Sequence, residues 1–161
     1  MSAATTDTSA RTARGLSAPL LVGGAFVLST VANICFQAAE IAFTDKDPHR
    51  PEGPIESIAS ISVVGVVSLA VALAIALPLI AKPARAKVGA IVLGALALLS
   101  LPFFWSGAPA VLGASAAWLA GLTKGGQPSS GAARAFGIVG FVVAVLGIVA
   151  VFAGALSALL G

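Results

Sequence analysis

The stretch VGAIVLGALALLSLPFFWSGAPAVLGASAAWLAGLT, residues 88–123, carries no charged side chain from Val88 to Thr123. Its one irregular segment is Pro102-Phe103-Phe104-Trp105-Ser106-Gly107-Ala108-Pro109. As a single helix this run of about 36 residues would rise about 54 Å, whereas the hydrocarbon core of a bilayer is about 30 Å thick and needs about 20 residues. The run must therefore turn in its middle, or cross once and lay the remainder elsewhere.

The rest of the composition supports a lipid setting. Of 161 residues, 58% are hydrophobic and 9% charged, with a mean hydropathy of +1.06. A soluble domain carries about 25% charged residues. The formal charge of +3 and pI near 9.6 do not point to nucleic acid, because the nine basic residues stand singly or in pairs between apolar segments and form no dense basic face. The single Cys35 excludes an internal disulfide, and within its apolar stretch it reads as a small buried residue. The Ala, Gly, Val and Leu lexicon, with no Tyr, resembles that of GC-rich bacteria.

The expected fold is all-α: a polytopic integral membrane helical bundle with spans at about 19–43, 57–81, 88–104, 108–122 and 135–160. Met1–Leu16 reads as a disordered cytoplasmic tail, and 17–161 as a single transmembrane helical domain. The first apolar segment exceeds the 7–15 residues of a secretory signal and reads as a retained anchor. Thr44–Glu56 and Lys124–Arg134 read as loops rich in Pro or Gly.

Charge selects among the topologies. If 88–123 crosses once, Arg11, Arg14, Lys82, Arg85 and Lys87 face Lys46, Arg50, Lys124 and Arg134, five against four. If the run is a hairpin turning at Trp105–Pro109, Lys124 and Arg134 join the first group and the count is seven against two. The hairpin gives five spans, an outer turn whose aromatics suit the membrane–water interface, a cytoplasmic N-terminus and an outside C-terminus. The alternative is four spans, with 108–122 interfacial or re-entrant.

Small residues mark the packing faces, since helices in lipid associate through close contact. Gly140, Gly147 and Gly154 recur at heptad spacing in the last span, with Gly137 and Ala144 between them. Gly113, Ala117 and Gly121 recur every fourth residue in the fourth span, and Gly89 and Gly94 mark the third. These faces serve packing within the chain or a homo-oligomer.

The first span holds a polar stripe, Thr30, Asn33, Gln37 and Glu40, at steps of three, four and three. That spacing places all four on one helix face. Intramembrane polar groups need partners and mark functional sites, so the stripe is either a binding or ion-relay surface or interhelical hydrogen-bond glue. Ser60, Ser62 and Ser68 of the second span are candidates for bonds across helices. His49 with Asp45, Asp47, Glu52 and Glu56 matches no metal-ligand spacing. The sequence contains no His-Glu-x-x-His, Gly-x-Ser-x-Gly, Walker-type Gly-Lys-Ser/Thr or Cys-x-x-Cys, and Thr123-Lys124-Gly125-Gly126 follows no strand. No metal, cofactor or catalytic residue is expected.

The segments Val88-Gly89-Ala90-Ile91-Val92-Leu93-Gly94, Ser106-Gly107-Ala108-Pro109-Ala110-Val111-Leu112-Gly113 and Ala132-Ala133-Arg134-Ala135-Phe136-Gly137-Ile138-Val139-Gly140 together resemble a small Ala/Gly-rich membrane domain of actinobacterial-type proteins. The resemblance covers residues 88–158. It implies a Gly-containing helix, a tight turn, a second small-residue helix, a Gly-rich or basic link and a third helix, and brings no activity. The expectation is a non-enzymatic protein of a bacterial plasma membrane, structural, accessory or an assembly partner. Its partners would be the bilayer and a second copy or another membrane protein. The alternative is a small transporter or channel component using the stripe.

Overall fold

A computed structural model describes residues 16–43, 53–124, 126 and 128–160. Among these the protein is all-α. Helix α1 spans Ala18–Phe43 with a π turn at Val27–Val31. Helices α2 (Pro54–Ile80) and α3 (Pro83–Leu99) follow, then a 3-10 turn (Leu101–Ser106), α4 (Ala108–Leu119) and α5 (Ala132–Leu160). The tail before Leu16 and the acidic loop with His49 lie outside the described residues.

Proline and glycine set the boundaries. Pro19, Pro54, Pro83 and Pro109 each stand in the first turn of a helix, where the missing N–H breaks no bond. Arg85 and Lys87, expected in a link, therefore lie inside α3. The helix stops at Leu99 because Pro102 disfavours helical backbone just before it, and the chain tightens into the 3-10 turn. Gly107 ends that turn at φ 80°. Gly121, at φ 74°, closes α4: its N–H donates to the Trp118 carbonyl at 2.9 Å and the Leu122 N–H to the Ala117 carbonyl at 3.0 Å. This is the paired bonding of a Schellman cap. Gly121 is thus a cap and not part of the packing face.

Helix α4 is the core. All of its residues except Trp118 are buried, and it contacts every other helix. Its Ala, Gly and Ser side chains let the backbones approach. A Cβ on Gly113 would run into the Gly140 carbonyl, one on Gly137 into the Ala120 methyl, and one on Gly140 would stand 2.8 Å from the Gly113 carbonyl oxygen. Ala117 is fully buried and Ala144 nearly so. Gly147 has only an ordinary neighbour, Ala110 at 3.6 Å, and Gly154 has nothing within 4 Å. The expected heptad face is therefore a contact with α4 over 137–147 that does not extend to Gly154.

Three helices, Ala18–Phe43, Ile55–Ile80 and Ala132–Ser157, are long and apolar enough to cross a membrane. Only 22%, 22% and 28% of their apolar windows are buried inside the protein, so their outer faces require an apolar solvent. Helix α4, with 12 residues, rises about 18 Å, short of a 30 Å core. It is also shorter than the expected span 108–122. Cys35, read as buried, is exposed on the outside of the bundle.

The turn before α4 does not reach the end of the bundle, as an outer turn would. Ser106 and Gly107 lie against Thr30, midway along α1, and against Gly65 in the middle part of α2. Gly147, midway along α5, stands beside Ala110 of the first turn of α4. Helices α3 and α4 thus occupy one half of the bundle. The other half consists of the second half of α1, the first half of α2 and the second half of α5. There α1 and α5 meet through Phe36 and Phe152, edge to face at 5.7 Å.

Among the described residues charge divides between the same two ends. Lys82, Arg85, Lys87, Lys124 and Arg134 are all exposed at the end where α1, α3 and α5 begin. Glu40 and Glu56 lie at the opposite end.

Substituting Gly113 or Gly140 with Ala is expected to destabilise the bundle by about 1–3 kcal/mol through overpacking. Gly154→Ala is expected to be neutral. Unfolding by SDS titration in mixed micelles measures the difference, and equal effects at 113 and 154 would contradict the packing described.

Candidate functional site

The polar side chains converge where α1, α2 and the 3-10 turn meet. Thr30 donates its hydroxyl to the Ser106 carbonyl at 3.0 Å, and the Asn33 amide donates to the Trp105 carbonyl at 2.6 Å. Two residues three apart on α1 so hold two consecutive carbonyls of the turn. Ser106 turns its own hydroxyl to the Phe103 carbonyl at 2.7 Å and accepts from the Ala108 N–H at 3.2 Å. That N–H is one of the donors a helix start leaves open. Phe103 and Trp105 stack edge to face beside it, with centroids 6.4 Å apart.

The π turn shapes the α1 side of this junction. The Ala32 N–H bonds the Val27 carbonyl, the five-residue step of a π turn, and the Ser29 hydroxyl bonds back to the Ala25 carbonyl at 2.6 Å. Ser29 and Thr30, adjacent in sequence, both have zero exposure and both face Gly107. A Cβ on Gly107 would overlap the Thr30 hydroxyl and stand 2.5 Å from that of Ser29. Gly107 is required twice, by its positive φ and by these two hydroxyls. A Cβ on Gly65 would overlap the Thr30 methyl and stand 3.1 Å from the Ser106 carbonyl oxygen.

Of the four stripe residues, the structure brings Thr30 and Asn33 to the junction. Gln37 and Glu40 continue along α1 toward Phe43, beyond the turn, and both are partly buried. Ser60, Ser62 and Ser68 bond carbonyls of their own helix rather than crossing to a neighbour. Ser106 and Gly107 of the turn complete the junction together with Ser29 and Gly65, which the polar spacing does not mark. Gly65 carried a signal, as the one glycine of the second span.

Chemically the junction is closed. Among the described residues no buried side-chain nitrogen or oxygen lacks a hydrogen-bond partner. Among the same residues no group of three or more His, Cys, Asp or Glu could hold a metal ion.

No family model matches this chain, and no curated protein or solved structure matches it.

Gly65→Ala is expected to cost about 1–3 kcal/mol by driving a methyl into Thr30. Thr30→Ser, which removes the opposing methyl and keeps the hydroxyl, should recover most of that loss in the double variant. Additive losses in a double-mutant cycle would show that the two residues do not share one space.

Proposed function

We propose that the protein is a non-enzymatic integral membrane protein of a bacterial plasma membrane, with a structural or assembly role. The observation that carries this reading is the closed junction. Two of the four stripe residues, Thr30 and Asn33, are engaged with backbone carbonyls of the chain's own turn. Bonds of this kind are the polar glue of membrane bundles.

In this proposal α1, α2 and α5 cross the bilayer. Helix α3, the 3-10 turn and α4 form a re-entrant hairpin that enters and leaves from the basic side. Backbone that is not regular helix is tolerated at membrane depth where protein buries it, and the full burial of Ser106 and most of α4 supports that placement. The charge count also supports it, because a re-entrant hairpin leaves seven basic residues on one side and two on the other, as two full crossings would. By the positive-inside rule the basic end is cytoplasmic and the C-terminal end of α5 is outside.

One feature favours a second reading, a small transporter or channel component. Helix α4 begins midway along α1, and half-helices whose N-termini point to the membrane midplane line the sites of many transporters. The two readings differ in a flux measurement. Reconstituted vesicles are expected to pass protons and monovalent cations no faster than empty ones. A flux abolished by Glu40→Gln would overturn the structural reading.

Topology is tested by single cysteines in a Cys35→Ala background at four exposed positions, Phe43, Ala84, Phe104 and Ser130. A membrane-impermeant maleimide should label position 43 in intact cells, and 84 and 130 only after permeabilisation. Position 104 should resist labelling in both conditions. Labelling at 104 in intact cells would replace the re-entrant hairpin with two full crossings.

A further inference from the structure

The basic end of the bundle holds a cavity of about 560 Å³ that the polar junction does not use. Its lining includes the exposed Lys87, from the second turn of α3, and Lys124, just past α4. Ile80, Trp118, Leu119 and Ala18 also line it. Among the described residues no Asp or Glu lines it. Lys124 and Ser129 are each held by a backbone bond, Lys124 N–H to the Leu16 carbonyl at 2.8 Å and Ser129 N–H to the Ala120 carbonyl at 2.9 Å. The buried Thr123 and Ser129 also line the cavity.

Two cations, with no carboxylate among the described lining residues, select an anion. The cavity size and wall select what carries the anion. A bare phosphate would leave most of about 560 Å³ empty, whereas cavities of roughly 300–1,000 Å³ suit organic ligands. The lining also presents the apolar side chains of Ile80 and Leu119, and Trp118 offers an amphipathic ring of the type found at the membrane–water boundary. Ala18 and Ile80 are the first residue of α1 and the last of α2, so the cavity sits at the depth where apolar helix gives way to charged link. Cationic, hydroxyl and apolar groups lining one cavity at that depth match a phospholipid headgroup joined to its chains.

We infer that this cavity binds the phosphate headgroup of an anionic phospholipid, with Lys87 and Lys124 on the phosphate and Trp118 and Leu119 against the glycerol and upper acyl chain. Basic pockets between membrane helices are a recurrent setting for such headgroups. The inference rests on the membrane reading proposed above.

The test uses Trp118 as reporter. The chain has two tryptophans, so Trp105→Phe leaves Trp118 as the one emitter. The full chain is reconstituted into vesicles of phosphatidylcholine containing a minor fraction of brominated phosphatidylglycerol or of brominated phosphatidylcholine. Bromines on the upper acyl chain quench a tryptophan they touch. The anionic quencher is expected to be preferred, each lysine contributing about a fivefold preference, so that Lys87→Gln with Lys124→Gln lowers it roughly twenty-fivefold. Lys82→Gln with Arg85→Gln removes the same charge from this end at residues outside the lining, and should lower the preference far less. Equal quenching by the two lipids, or equal losses in the two double variants, would overturn the inference by reducing it to general surface attraction. Relief of the quenching by millimolar glycerol phosphate would overturn the lipid assignment in favour of a soluble phosphate ester. Flotation of the vesicles separates the two levels of failure. A chain that does not float with lipid sinks the membrane reading and this inference together. A chain that floats but shows no lipid preference sinks this inference alone.

Discussion

The fold depends on a backbone problem solved by two side chains. Where α3 breaks, the carbonyls of Trp105 and Ser106 face the interior of an apolar bundle, and an unpaired peptide group in such surroundings costs several kcal/mol. Thr30 and Asn33 supply the missing donors from the middle of α1. Without those bonds the chain could not afford to turn there, and α4 could not begin at mid-height. The π turn, the left-handed Gly107 and the bare α-carbon of Gly65 all crowd around these two bonds and exclude bulk from them.

Once α4 starts at mid-height, its composition follows. A helix surrounded on all sides has no polar face to offer solvent, and in an apolar setting it gains little from bulky apolar side chains. It gains from proximity. Gly113 against Gly140 and Ala120 against Gly137 bring backbones together, and the many dispersion contacts made at that range are individually small but additive. Larger apolar side chains such as Leu99, Leu146 and Phe43 are displaced to the exterior. This arrangement inverts the pattern of a water-soluble core.

Much of this was legible in the sequence, and what was not has a common cause. The helices announce themselves through length and apolarity, and the α4–α5 contact through its glycines. The stripe Thr30–Asn33 was visible as a polar face, but its partner is a pair of backbone carbonyls, which no residue type reveals. The charge count called for a return of the chain between Lys87 and Lys124. It is a statement of parity: zero crossings and two crossings give the same sum, so depth was open. Aromatic residues at the turn suggested an interface, yet the bond that places Trp105 beside Asn33 is made by its backbone carbonyl, to which the aromatic side chain is indifferent. Gly121 matched a packing repeat by spacing alone, whereas its φ assigns it to a cap. Spacing tells which residues share a face only as far as the helix continues.

The unequal halves of the bundle have a mechanical consequence. Among the described residues five helical segments stand side by side near the basic end, and α1, α2 and α5 continue toward the opposite end. In the orientation proposed here, such a body occupies more area in one leaflet than in the other. Lipid must tilt or splay to fill the narrower half, and that elastic cost falls where the membrane already bends in the matching sense. The short central helix would then give the protein the shape of a wedge, sensitive to curvature through its taper alone.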